Sequence, residues 1–207
     1  MNHEPEMLFF DLETKGDPDA GDHIEVKVPA NYKDPAKIEA YVAEAKAEAI
    51  SRAALDPDLG HIVAIAYKFG GEATGCLTGD ENDILDSFWR LYRSSYGRVC
   101  GYNIVGFDLP FLLRRSMVWG IKPSMPVMYK KYSTFPVLDL MGVLYNWDKA
   151  KSLKWVAKRH GLVNPLPDLN GSMVEDMDLE TLIAYAKNDV DLTYQLYKLM
   201  RGVYFEQ

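Results

Sequence analysis

Asp11 and Glu13 stand two apart in MLFFDLE (7–13), a short apolar run that ends in acids. On a strand that spacing puts both side chains on one face. Two carboxylates side by side at the end of a buried strand repel each other, which raises the cost of ionising both. A divalent cation removes that cost. A strand end fraying into water is the alternative, and Asp-x-Glu alone does not choose between them.

A second pair of acids behaves differently. In LIAYAKNDVDLTYQLY (182–197), Asp189 and Asp191 are also two apart, but the segment reads as a helix, so they point in different directions. At about 100° per residue, Leu179, Ile183, Ala186, Val190, Tyr197 and Met200 form an apolar stripe. Asp191 falls opposite, on a wet face with Lys187, Asn188, Gln195 and Lys198. Asp189 falls at the edge of the stripe, between Leu182 and Leu196, with Tyr185 one turn before it. A carboxylate there is costly unless something pairs with it. That partner is a lysine or arginine on one reading and a metal ion on the other.

Asp108 in GYNIVGFDLPFLLRR precedes Leu-Pro at a helix start. It suits an N-cap, or a ligand of metal or substrate. Asn103 is a turn residue or a substrate contact. Asp139 in VLDLMG reads as a helix cap and stays outside the catalytic set. Lys151, Lys154 and Lys158 share one face of a short helix, a solvated face with phosphate holding as the lesser reading. Tyr129-Lys130-Lys131-Tyr132 mixes base-stacking and phosphate-binding types, or is a surface loop. The histidines show no metal-ligand spacing. The chain has no Gly-rich phosphate loop, no Cys cluster and no Ser/His/Asp set.

These residues must be positioned by ordinary elements. MLFFDLE is a buried-strand candidate. Residues 36–54 read as a helix capped by Asp34 with Pro35 at its first position, and Ile38, Tyr41, Val42, Ala45 and Ala49 on one face. HIVAIAYKF (61–69) and ATGCLTG (73–79) read as a hairpin turning at Gly70-Gly71. Residues 81–94 are helical, with Ile84, Leu85, Phe88, Trp89 and Tyr92 together. A strand runs to about Tyr102, a helix closes at Gly120, and a short strand runs into a helix in FPVLDLMGVLY. Ser152 caps LKWVAKRHG, with Gly161 as its stop, and a polar loop leads to the long final helix. The order predicts an α/β fold, a mixed sheet covered by helices, in one domain over 1–207. Residues 16–58 separate two core strands and read as an insertion.

At 207 residues with 48% hydrophobic content, the chain is long enough for one well-packed core. A formal charge of −7 argues against coating nucleic acid non-specifically, but not against gripping a few nucleotides. No apolar run reaches membrane-spanning length and the start lacks signal-peptide order, so no membrane partner is expected. Cys76 and Cys100 read as reduced thiols, which suits the cytoplasm.

Taken together, FFDLET (9–14), GYNIVGFDLPFLLRR and YAKNDVDLTYQLY resemble, in this order, the three motifs of DEDDy-type 3′–5′ exonucleases, above all the proofreading domains of family B DNA polymerases. The likeness runs from about residue 7 to 200, apart from the 16–58 segment. It implies a ribonuclease H-like fold, a mixed five-stranded sheet flanked by helices. It places the four acids on Asp11, Glu13, Asp108 and Asp189. Tyr185 marks the tyrosine subclass, because position 184, where a histidine would stand, is alanine. It also implies two divalent cations, Mg²⁺ or Mn²⁺, held by those acids. A tyrosine is a poor base at neutral pH, so Tyr185 is expected to orient water. Thr14 and Asn103 are expected to touch the terminal nucleotide, and Phe107 to act as a wedge. The substrate implied is the 3′ end of DNA, single-stranded or frayed, with a separate polymerase or repair protein as partner. An exoribonuclease on the same site, and a non-catalytic nucleic-acid-binding module, remain the alternatives.

Overall fold

The computed structural model describes residues 7–205. In chain order the strands are β1 (Leu8–Gly16), β2 (Gly60–Phe69), β3 (Gly75–Thr78), β4 (Val99–Gly101) and β5 (Val137–Asp139). The helices are α1 (Pro35–Ser51), α2 (Glu81–Ser94), α3 (Asp108–Trp119), α4 (Leu140–Leu144), α5 (Leu153–His160) and α6 (Leu179–Met200). The strands form one mixed sheet in the order β3-β2-β1-β4-β5. β1 with β4 and β4 with β5 are parallel, and β2 with β3 is antiparallel. This is the five-stranded α/β fold expected from the sequence.

Alternation along β1 sorts its side chains. Leu8, Phe10 and Leu12 enter a core with α2 and α3 residues such as Phe88, Trp89 and Leu112. Phe9 faces the other layer, with Val156 of α5 and Ala186, Val190 and Leu196 of α6. Asp11 and Glu13 continue that second face. Both layers of the sheet are therefore covered, and the face carrying the acids is the α5–α6 face.

Local signals set most helix ends. Asp34 accepts from the Ala36 amide at 3.0 Å with Pro35 at the first position of α1, and Ser152 accepts from Trp155 at 3.3 Å to start α5. Gly120 and Gly161 close α3 and α5 in the left-handed conformation, with φ of +67° at each. β2 and β3 pair from Ala64↔Thr78 to Tyr67↔Gly75 as a hairpin.

Residues Thr14–His61 form a compact unit of their own, and the expected insertion, 16–58, lies within it. There the Asp17 amide donates to Leu59 at 2.8 Å and His61 Nδ1 meets Asp17 Oδ1 at 2.7 Å. Gly60 is required, because a Cβ would lie 2.6 Å from the Ala53 carbonyl oxygen. α1 buries no residue, so its apolar stripe is only half-covered. Among the described residues no helix is long and apolar enough to cross a membrane. Both cysteines are free thiols, and burial pushes the Cys76 pKa up to about 11.

Candidate active site

β1 and α6 bring three carboxylates together. One oxygen each of Asp11, Glu13 and Asp189 lies within 4.8 Å of the others. Glu13 and Asp189 are buried, while Asp11 keeps part of its surface open to solvent. The α6 helix starts on Asp178, whose carboxylate accepts the Thr181 amide at 2.7 Å. From there Leu182, Tyr185, Ala186, Asp189 and Val190 fall on its buried side.

Asp108 stands beside this trio rather than in it. As the first residue of α3 it is buried, and its Oδ1 accepts the Leu12 amide at 3.0 Å, which ties α3 to β1 between Asp11 and Glu13. The N-cap position of α3 is Phe107, so Asp108 is the first residue inside the helix rather than its cap. The loop before it is held from below by Asp139. That carboxylate accepts from Asn103 and Val105 at 3.0 Å each and caps α4 through Gly142 at 3.1 Å. Asp139 is therefore the cap the sequence predicts, and it also anchors the backbone that carries Asn103. Asn103 takes a φ of +71°, in the left-handed region that asparagine tolerates. Phe107 is half-buried, its ring 5.4 Å from that of Phe111. Thr14 lies at the start of the Thr14–His61 unit, where its hydroxyl donates to the Ala54 carbonyl at 2.5 Å.

Four acids this close cannot all ionise cheaply. Burial, then Asp108, Glu13 and Asp189, push the Asp11 pKa well above the usual carboxylate range. Burial, Asp189 and Asp108 do the same to Glu13, against a smaller opposing pull from Lys154. Asp108 is pushed up to about 7 by burial, although the Leu12 amide favours its ionised form. Asp189 is raised by burial and held back by Lys154, Tyr185 and Asn188. Burial and the neighbouring acids drive the Tyr185 phenol far above its ordinary value. It therefore stays neutral and donates its hydrogen bond to Asp189.

The donor set fits a hard divalent cation. It is all oxygen, it converges, and the pull of Lys154 is too small to let its carboxylates ionise together. The buried Oε1 of Glu13 accepts no hydrogen bond. A buried lone pair of this kind is costly unless something positive meets it.

Two positions on α6 differ from the helical-wheel expectation. Asn188, expected on the wet face, is buried, and its amide donates to Asp189 Oδ1 at 3.2 Å. Leu179, expected in the apolar stripe, is 59% exposed, because it precedes the first turn that meets the sheet. Asp191 does lie on the far side of the helix, but it is paired: it meets Lys68 at 3.0 Å and Thr74 at 2.6 Å. Lys154 is the residue that sequence reasoning underweights. Its ammonium sits 4.5 Å from the centre of the Tyr185 ring. The available signal is its place in the first turn of a capped helix; nothing in the spacing shows what that turn faces.

The whole arrangement is the fold of a family B polymerase exonuclease domain. The structure of the family B DNA polymerase from Pyrobaculum calidifontis superimposes with a TM-score of 0.63 and 19% identity, over 94% of this chain and 24% of that one. Residues 65–205 match the family described as a predicted 3′–5′ exonuclease related to the exonuclease domain of PolB, and the chain belongs to that family. A DNA polymerase of Archaeoglobus fulgidus is 25% identical over 167 residues, which cover 73% of this chain and 21% of the relative. The chain thus spans about a fifth of the length of that polymerase.

Proposed function

We propose that this chain is a metal-dependent 3′–5′ exonuclease that removes nucleoside monophosphates from DNA 3′ ends, single-stranded or frayed. The observation that carries this reading is the trio of Asp11, Glu13 and Asp189 with ligand oxygens within 4.8 Å, crowded enough to demand positive charge. Asp11, Glu13 and Asp189, with Asp108 beside them, would hold two divalent cations, Mg²⁺ or Mn²⁺. Bound there, such ions supply the Lewis acidity and counter-charge that phosphodiester hydrolysis requires.

The chain's own residues do the rest. Tyr185, neutral at any working pH, and Asn188 both donate to Asp189 and set the direction of its free lone pairs. Asp108 fixes the backbone between the two β1 acids through the Leu12 amide. Asn103 and Phe107, on the loop anchored by Asp139, contact the terminal nucleotide. A polymerase is the proposed partner, a reading supported by the likeness to polymerase exonuclease domains.

The test is a gel of 5′-labelled single-stranded DNA and matched RNA with Mg²⁺, Mn²⁺ or EDTA, beside the Asp11→Ala protein. A ladder shrinking from the 3′ end of DNA, lost with EDTA and with Asp11→Ala, is the expected result. Faster cleavage of RNA would move the substrate to RNA. A folded protein that cuts neither polymer would leave the acids a binding role only.

A further inference from the structure

Beside the Asn103 turn lies a cavity of about 110 Å³, with Asn103, Lys131, Gly142 and Trp147 in its walls. One buried carboxylate holds two of those walls together. Asp139 Oδ1 accepts from the Asn103 amide at 3.0 Å and from the Gly142 amide at 3.1 Å. The Trp147 indole is seated against Gly142, where a Cβ would come within 2.6 Å of the ring, and the Trp147 amide donates to the Gly142 carbonyl at 2.9 Å.

The backbone here is strained. Tyr132, Asn146 and Trp147 take φ of +63°, +50° and +61°, beside the +71° of Asn103; among the other described non-glycine residues only Tyr96 does the same. Asparagine tolerates that region, but a bulky aromatic holds it only where the surroundings over-determine it, as they do in ligand clamps. The strained residues bring two rings together. Tyr132 and Trp147 lie 5.7 Å apart, edge to face, with Tyr132 76% exposed and the exposed Lys131 next to it in the chain. Presented rings with a cation beside them are the chemistry of single-strand binding, in which ring faces take bases and the ammonium takes a backbone phosphate.

We propose that Trp147 and Tyr132 form a stacking subsite for the base next to the terminal nucleotide, with Lys131 on the strand's backbone. This rests on the exonuclease reading of the site. Asn103 gives the order: it is a wall of this cavity, so a strand whose last nucleotide meets Asn103 brings the neighbouring base to Trp147. The cavity has room for one base and not for a base pair, so its occupant is a single strand.

The experiment times removal of the last nucleotide from 5′-labelled oligothymidylate in Mn²⁺. The strands are intact, abasic at the second position from the 3′ end, or abasic at the terminal position. The proteins are the unaltered chain, Trp147→Ala, Trp147→Phe and Tyr132→Ala, each with a melting curve. On the intact strand Trp147→Ala should lower kcat/KM by about tenfold or more, the value of one stacked base. Trp147→Phe should keep most of the rate, and Tyr132→Ala should lose a smaller factor. With the second base missing, the unaltered protein should slow by a similar factor and the alanine variants should lose nothing further. With the terminal base missing, their losses should persist. Equal losses on every strand would make the rings structural, and no loss on the intact strand would take them off the strand's path; either result overturns the proposal. Should Trp147→Ala unfold, Tyr132→Ala on the same strands decides the matter, since that side chain is exposed. Failure of the unaltered protein to cut the intact strand would instead overturn the exonuclease reading, and this subsite with it.

Discussion

Two glutamates of this protein are almost equally buried, and their surroundings are opposite. Glu81, at the start of α2, is 8% exposed; Glu13, at the end of the acidic face of β1, is 5% exposed. Glu81 is saturated. Arg115 meets it at 2.9 and 2.8 Å through Nε and Nη2, the Ile62 amide at 2.8 Å and the Trp119 indole at 2.6 Å. Burial alone would raise its pKa, but these donors outweigh it and hold the carboxyl below its usual value. Glu13 has acids for neighbours and one oxygen with no hydrogen bond, and its pKa goes up. The lesson is that burial does not say what a carboxylate is for. A satisfied one fastens helices together; a crowded, unsatisfied one stores a demand for positive charge.

The contrast can be broken most forcefully at the cleft. Glu13→Gln should cut nuclease activity by about 10³-fold, in the range seen when one stabilising group is removed from a preorganised site. In EDTA at pH 8 the same change should raise the melting temperature, because it relieves like-charge repulsion. Glu81→Gln should do the reverse, costing about 3–5 kcal/mol in denaturant unfolding by stranding Arg115. If both substitutions shifted stability in the same direction, the distinction between the two sites would be lost.

The pH dependence sharpens it. Asp108 titrates near 7 when folded, and Asp11 and Glu13 are also raised. In EDTA the native state then holds protons that the unfolded chain has already lost. Stability should be greatest at acid pH and fall as pH rises from about 4 through 7. Glu81 works with the opposite sign: its stabilisation is present above its unfolded pKa and lost as pH falls through its folded one. Melting curves across pH 5–8 should decline in EDTA and lose that decline in Mn²⁺. A flat EDTA series would mean that the acids are not crowded in solution.

A smaller effect is expected at the tyrosine. Tyr185→Phe removes a donor to Asp189 and should lower turnover by about 10–100-fold, with little change in melting temperature. Unchanged turnover would remove the tyrosine from the mechanism. Smallest of all, Asp191→Asn should cost about 1 kcal/mol or less, since the pair with Lys68 is only partly buried. A double-mutant cycle with Lys68 measures it, and it shows how little the second aspartate of the helix resembles the first.

Much of the fold was legible because its signals are local. The caps at Asp34 and Ser152, the stops at Gly120 and Gly161, the hairpin at Gly70-Gly71 and the apolar stripe of α2 each depend on residues a few positions apart. The three motifs were readable through their resemblance, taken together, to one family; spacing by itself decided only which side chains of an element share a face. What periodicity does not contain is the identity of the surface that face meets. Only the packed chain turned Asn188 inward, brought Leu12 to Asp108 across 96 residues and Lys68 to Asp191 across 123. Only it set Lys154 over Tyr185 and left Glu13 with an unanswered oxygen. By itself the sequence determined which residues carry charge and which side chains of one element lie together. Tertiary structure decided which charges meet, because electrostatic energy depends on distances between segments that no local pattern encodes.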